Sequence, residues 1–188
     1  MSALRDKILL AATNLFKTRG INATGVDTIV AVAGTTKMTM YKHFKSKESL
    51  ILEVMNQSFQ IFYSSILENL QKSKRRPDEK LQAMFDLVER WMSSPAFNGI
   101  HFTQASAEFP NEENPVHKLS AEHARSFRVA IAQIAREAEV HDPDGLAQQL
   151  ALLIEGAVQA EQIKRGSGSI KIAKKAAKVL IENAIQKH

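Results

Sequence analysis

Thr24-Gly25-Val26-Asp27-Thr28-Ile29-Val30-Ala31-Val32-Ala33-Gly34-Thr35-Thr36-Lys37-Met38-Thr39-Met40-Tyr41-Lys42-His43-Phe44 holds two short helical patterns hinged on one glycine. The first offers Thr24 as an N-cap and puts Val26, Ile29, Val30 and Ala33 on one face. Gly34 ends it, because glycine takes a positive φ without steric cost. Thr36 can cap the second helix, in which Met40 and Phe44 stand at i and i+4 and face a core. That leaves Lys37, Thr39, Lys42 and His43, with Tyr41 beside them, as a polar outer face. Two such helices at a glycine turn make a brace and a reader, and a polar reading face of this size suits a DNA major groove. Thr24 and Thr28 lie near a helix N-terminus, where unpaired N–H groups favour an anion such as a phosphate. Lys47, in the first turn of the next helix, addresses the same backbone.

Working outward, Leu4, Ile8, Ala11, Ala12, Leu15 and Phe16 keep the α-helical period and stop at Gly20, while Ser46 caps a helix running through Leu50, Val54, Phe59 and Phe62. Every proline (77, 95, 110, 115 and 143) lies in the remainder and cuts it into helices expected at about 78–93, 97–107, 115–140, 144–164 and 170–187. No strand pattern appears. The expectation is an all-α chain of about nine helices, with a helix-turn-helix domain over 1–48 and a helical sensing and dimerisation domain over 49–188.

Charge sharpens this division. The first 50 residues hold eight Lys or Arg against three acids, and the other 138 hold 17 of each, so the whole net charge of +5 sits at the N-terminal end. A basic end on a neutral body is the footprint of a chain that meets a polyanion with one face. The absence of cysteine excludes disulfides, thiolate metal sites and cysteine nucleophiles. The charged start Arg5-Asp6-Lys7 does not read as a signal peptide, and the most apolar run, 150–160, is interrupted by Glu155 and too short to span a bilayer, so a cytoplasmic protein without membrane contact is expected. Serine-elbow, phosphate-loop and dinucleotide motifs are all missing, and the chain reads as no enzyme and as needing no cofactor.

The order and spacing of Leu15-Phe16-Lys17-Thr18-Arg19-Gly20, Thr24-Gly25-Val26, Ala33-Gly34 and Thr39-Met40-Tyr41-Lys42-His43-Phe44-Lys45-Ser46-Lys47-Glu48-Ser49-Leu50 resemble the N-terminal signature of the TetR family. The resemblance implies a homodimer of all-helical subunits that binds a double-stranded operator and releases it when a small-molecule effector occupies the second domain. By position it implies phosphate contacts from Tyr41 and Lys47 and base contacts from Lys37, Thr39, Lys42 and His43. Thr35 and Met38 depart from the pattern, standing where an apolar and a small residue are common. Residues 95–110 are similar to the C-terminal domain of a subgroup of that family, without specifying an effector.

In the second part, seven of the nine phenylalanines and Trp91 fall between residues 59 and 127. Such a stripe lines an apolar pocket or fills a core. Candidate ligand contacts are Phe59, Phe62, Tyr63, Trp91, His101, Phe102, Gln104 and Glu108, of which His101, Gln104 and Glu108 share one helical face. Adding His117 or His123 gives at most two neighbouring ligands, fewer than a metal site needs. Two apolar stripes on the helix after Pro143, and another on the last helix, nominate Leu150, Leu153, Ala157, Ala160, Ala177, Leu180 and Ile181 as a dimer interface. The competing reading, a helical adaptor that binds only protein, predicts no salt-dependent DNA binding.

Overall fold

The computed structural model describes residues 3–94, 97 and 101–185, the side chains of 101 and 102 excepted. Its helices are α1 (Ala3–Arg19), α2 (Val26–Ala33), α3 (Lys37–His43), α4 (Lys47–Tyr63), α5 (Asn69–Lys72), α6 (Pro77–Met92), α7 (His101–Glu108), α8 (Pro115–Glu137), α9 (Pro143–Ile163) and α10 (Ser169–Ile185). A π-helical turn, Ser64–Glu68, joins α4 to α5 without a break, so the described residues form nine rods and no strand, as the helical periodicity predicts. Pro77, Pro115 and Pro143 each open a helix, where a missing N–H costs nothing.

By Cα packing the chain forms two compact units, 1–59 with 101–121 and 60–100 with 122–188. The expected boundary at 48/49 follows chain order, whereas the units do not: α7 and the start of α8 group with the N-terminal residues. The first unit has its own core, with Ile8, Ala12, Ile29, Met40 and Leu50 fully buried, joined by Ala105 and Val116 from the later segment. Short helices cannot persist alone in water, so the burial of one face of each is what holds α2 and α3.

In the second unit, Phe62 packs edge-on against Trp91 with ring centroids 4.9 Å apart, and lies 5.3 Å from Phe127. Trp91 in turn meets Phe97 at 4.8 Å, and the Arg165 guanidinium lies 4.6 Å over the Phe97 ring. Of the two readings of the aromatic stripe, most of it is core: Phe85, Phe97 and Phe127 are wholly buried. Helix α10 packs on α9 and α6 and is tied to α6 by the ion pair Lys174–Asp86. Among the described residues no helix is long and apolar enough to cross a membrane.

Candidate DNA-binding surface

Gly34 ends α2 in the left-handed region at φ 65, ψ 42. Its N–H donates to the Ala31 carbonyl at 3.2 Å, and the next N–H, from Thr35, donates to Val30 at 2.9 Å. These bonds satisfy the exposed end of α2 and turn the chain into α3. Thr36 caps α3 as expected: its Oγ1 accepts from the Thr39 N–H at 3.2 Å. Ser46 and Ser49 cap α4 reciprocally, each side-chain oxygen accepting the other's N–H at 3.0 Å.

Met40 is wholly buried and Phe44 is 3 % exposed, so both anchor α3 on the core. The opposite side is open. Lys37, Met38, Tyr41 and Lys42 are exposed and Thr39 and His43 are half-buried; Met38, at 68 % exposure, is more open than Tyr41 at 46 %. The side of α3 expected to be polar is therefore exposed as one surface, with Met38, a departure from the family pattern, as a further member. Lys37 Nζ lies 2.7 Å from Asp27 Oδ1 across the turn between the two helices. Hydrogen bonding to that carboxylate, then its charge, raises the Lys37 pKa above the ordinary lysine value.

Two threonines expected at a phosphate differ from each other. Thr28 is half-buried on α2. Thr24 is 1 % exposed, and its hydroxyl donates to the Gly20 carbonyl at 2.7 Å. Gly25 takes the N-cap position of α2, with no side-chain cap. Thr24 is thus a strut of the α1–α2 turn, and the cap position expected for it belongs to Gly25.

Lys47, expected at a phosphate, donates from Nζ to the Ile21 carbonyl at 3.0 Å. Burial lowers its pKa, partly offset by the charge of Glu108. Glu108 itself, expected in a ligand site, binds the same turn. The N–H groups of Ile21 and Asn22 donate to its two carboxylate oxygens at 3.0 and 2.7 Å, and Asn22 Nδ2 donates to its backbone carbonyl at 2.9 Å. Gln104 Nε2 donates to Glu108 Oε1 at 3.3 Å. Glu108 therefore faces the α1–α2 turn, with Gln104 bonded to it, an arrangement between positions 86 and 87 residues apart that no local pattern announces.

Of the other candidate ligand contacts, Phe59 is 8 % and Phe62 5 % exposed and both are core. Trp91 belongs to the aromatic cluster described above. The side chains of His101 and Phe102 lie outside the described residues. Tyr63 is placed differently: with Leu67, Lys80, Arg125, Val129 and Ile134 it lines an open groove of ≈ 570 Å³ in the second unit. His117 Nδ1 lies 2.8 Å from the Phe109 carbonyl, and His123 is 5 % exposed with a pKa lowered by burial. Among the described residues no three His, Cys, Asp or Glu side chains converge as a metal site would require.

The nominated dimer residues split. Leu150, Ala157, Ala177 and Ile181 are 0–5 % exposed and pack inside the subunit; Leu153, Ala160 and Leu180 are half-buried. The outward stripe is one step round α9, where Leu152 and Ile163 are 68 % and 79 % exposed, and on α10, where Ile172 and Val179 are 69 % and 55 % exposed.

A helix-turn-helix with an anchored, polar-faced second helix, in a chain whose second compact unit is also helical, is the architecture of a helix-turn-helix protein. Residues 8–54 match the profile of the bacterial regulatory proteins of the tetR family, and residues 77–177 match the tetracyclin repressor-like C-terminal domain. The chain is 33% identical over 88 residues to the HTH-type transcriptional activator FasR of Mycolicibacterium smegmatis, a match covering 45% of this chain and 40% of that protein. It is 47% identical over 53 residues to the HTH-type transcriptional regulator QacR of Staphylococcus aureus, covering 28% of each. These alignments thus span less than half the length of either relative. The crystal structure of SCO4454, a TetR-family transcriptional regulator from Streptomyces coelicolor, superposes with a TM-score of 0.90 at 24% identity, covering 97% of this chain and 96% of that one. The chain belongs to the TetR family.

Proposed function

We propose that the protein is a homodimeric, ligand-responsive DNA-binding regulator that occupies a palindromic operator and leaves it when a small-molecule effector binds. Such behaviour is repression wherever the operator overlaps a promoter, and the working compartment is the cytoplasm. The observation that carries the reading is the outward side of α3. Lys37, Lys42 and Tyr41 are exposed beside Thr39 and His43, on a helix fixed from behind by Met40 and Phe44. In a major groove, Lys addresses guanine acceptors, Thr offers a hydroxyl or methyl, and the exposed Met38 presents an apolar surface to a thymine methyl. Tyr41, with cations at the rim, serves the phosphates.

The dimer contact is drawn from the outward stripe of α9 and α10, since four of the seven residues first nominated pack inside the subunit. Leu152, Ile163, Ile172 and Val179 are large, apolar and exposed on two helices that already pack on each other. A two-fold partner covering such a face meets itself, the commonest form of oligomer. Gly156, on the same α9 face as Leu152, has nothing within 4 Å of where a Cβ would stand, which leaves room for close approach.

For the effector, the groove beside Tyr63 has the size of a small-molecule site. Its lining combines apolar side chains (Leu67, Val129, Ile134) with charged ones (Lys80, Arg125), and the π-helical turn that begins after Tyr63 is a local irregularity of the kind concentrated at functional sites.

The test is selection of duplexes from a random library with the purified protein, followed by titration across salt. A selected palindrome bound with a slope of log K against log salt near −0.9 per phosphate contact supports the reading. A flat salt response with no enriched sequence refutes it in favour of a protein-binding adaptor.

A further inference from the structure

Helix α2 begins at Gly25 without a side-chain cap, and the turn that leads into it, at Ile21 and Asn22, is held by groups from later in the chain. The holding groups converge on two residues. Glu108 accepts both the Ile21 and the Asn22 N–H, its backbone carbonyl accepts Asn22 Nδ2, and Lys47 binds the Ile21 carbonyl between them. The backbone is shaped to allow it. Gly20 sits at φ +88, where a side chain is strained, and a Cβ there would stand 3.4 Å from Glu108 Oε1, in contact with the carboxylate. Helix α7, which carries Glu108, lies inside the stretch matched by the C-terminal profile. It nevertheless packs with the N-terminal core through the buried Ala105 and the adjoining Phe109.

We infer that Glu108 is a positioning residue for sequence recognition: its carboxylate fixes the Ile21–Asn22 turn, which seats α2 and, through the Gly34 turn, α3. Base-edge hydrogen bonds are short and directional, so they fail when the reading helix loosens, whereas long lysine side chains follow a phosphate that moves. Loosening the turn therefore lowers affinity for a specific sequence more than affinity for DNA in general. By linkage, a ligand that draws α7 off the turn weakens operator binding, and operator binding protects the turn.

The inference rests on the DNA-binding reading, and the experiment separates the two. Wild type, Glu108→Ala and the nearly isosteric Glu108→Gln are each titrated with a duplex selected by the wild type and with a scrambled duplex of the same length and composition. Amide exchange at Ile21 and Asn22 is followed by NMR, with Ile29 and Leu50 as core references. Expected for Glu108→Ala is faster exchange at 21 and 22, unchanged exchange at 29 and 50, a loss of about tenfold in affinity for the selected duplex and none for the scrambled one. Glu108→Gln, which keeps one acceptor oxygen, falls between. If Glu108→Ala loses its core protection, Glu108→Gln alone decides. A folded Glu108→Gln with faster exchange at 21 and 22 and the wild-type ratio of selected to scrambled affinity overturns the inference while leaving the function standing. A wild type that binds both duplexes alike refutes both.

Discussion

Replacing Gly34 by alanine tests whether the turn between α2 and α3 is rigid enough to aim the reading helix. Gly34 sits at φ 65, and a Cβ added there meets nothing within 4 Å. The substitution thus carries no steric clash with neighbours and only the intrinsic cost of the left-handed region for a side chain, about 1–2 kcal/mol. That strain is either held or released. The N–H bonds of Gly34 and Thr35 to Ala31 and Val30, with the burial of Ile29 on one side and Met40 on the other, hold it. Stability should fall by the full strain, about 2–4 °C in Tm per kcal/mol for a chain of this length. Operator affinity should stay within about threefold, since less than 0.7 kcal/mol would reach the DNA step. Calorimetry and fluorescence anisotropy read the two quantities on one preparation. An unchanged Tm with a tenfold or greater loss of affinity would mean that the turn relaxes and α3 moves, which refutes the rigid-brace argument.

Three further outcomes follow from particular residues. Gly25→Ser supplies the side-chain cap that α2 lacks at a site with open space, and should raise stability by a few tenths of a kcal/mol in denaturant titration. His123 is buried, and burial lowers its pKa below the ordinary 6.5. The folded state favours the neutral ring, so stability is full above that value and is lost as the pH falls through the folded pKa. His123→Gln should flatten the fall, and an identical pH–stability curve in the variant would rule the residue out as its source. Leu152→Asp with Val179→Asp puts charge into the outward stripe of α9 and α10 and should give monomers in light scattering; Leu150→Asp, a core position at 0 % exposure, should unfold the subunit instead.

How far the sequence could be read differs by element. The glycine at 34, the cap at 36 and the i, i+4 pair Met40 and Phe44 act within one or two turns, so the helix-turn-helix and its polar face were legible in order and spacing. Thr24 was misassigned because a threonine before an apolar run suits a cap or a turn equally, and only the fold shows its hydroxyl on Gly20. Four of the seven residues nominated for the dimer pack inside the subunit instead. Helix α9 is apolar on more than one side, and periodicity does not say which side meets its own subunit. Glu108 was grouped with Gln104 correctly as one face of α7. What that face meets lies more than eighty residues upstream, a pairing that nothing in the local pattern encodes.

In a dimer, two copies of α3 held at a fixed separation should read one duplex together. Binding to a selected palindrome should be measured while base pairs are inserted between the half-sites. Binding should be strongest with half-site centres about 10–10.5 base pairs, or a multiple of that, apart, and should fall steeply when a half-turn of about five is added. Affinity indifferent to the spacing, or one subunit bound per duplex at saturation, would contradict the paired reading.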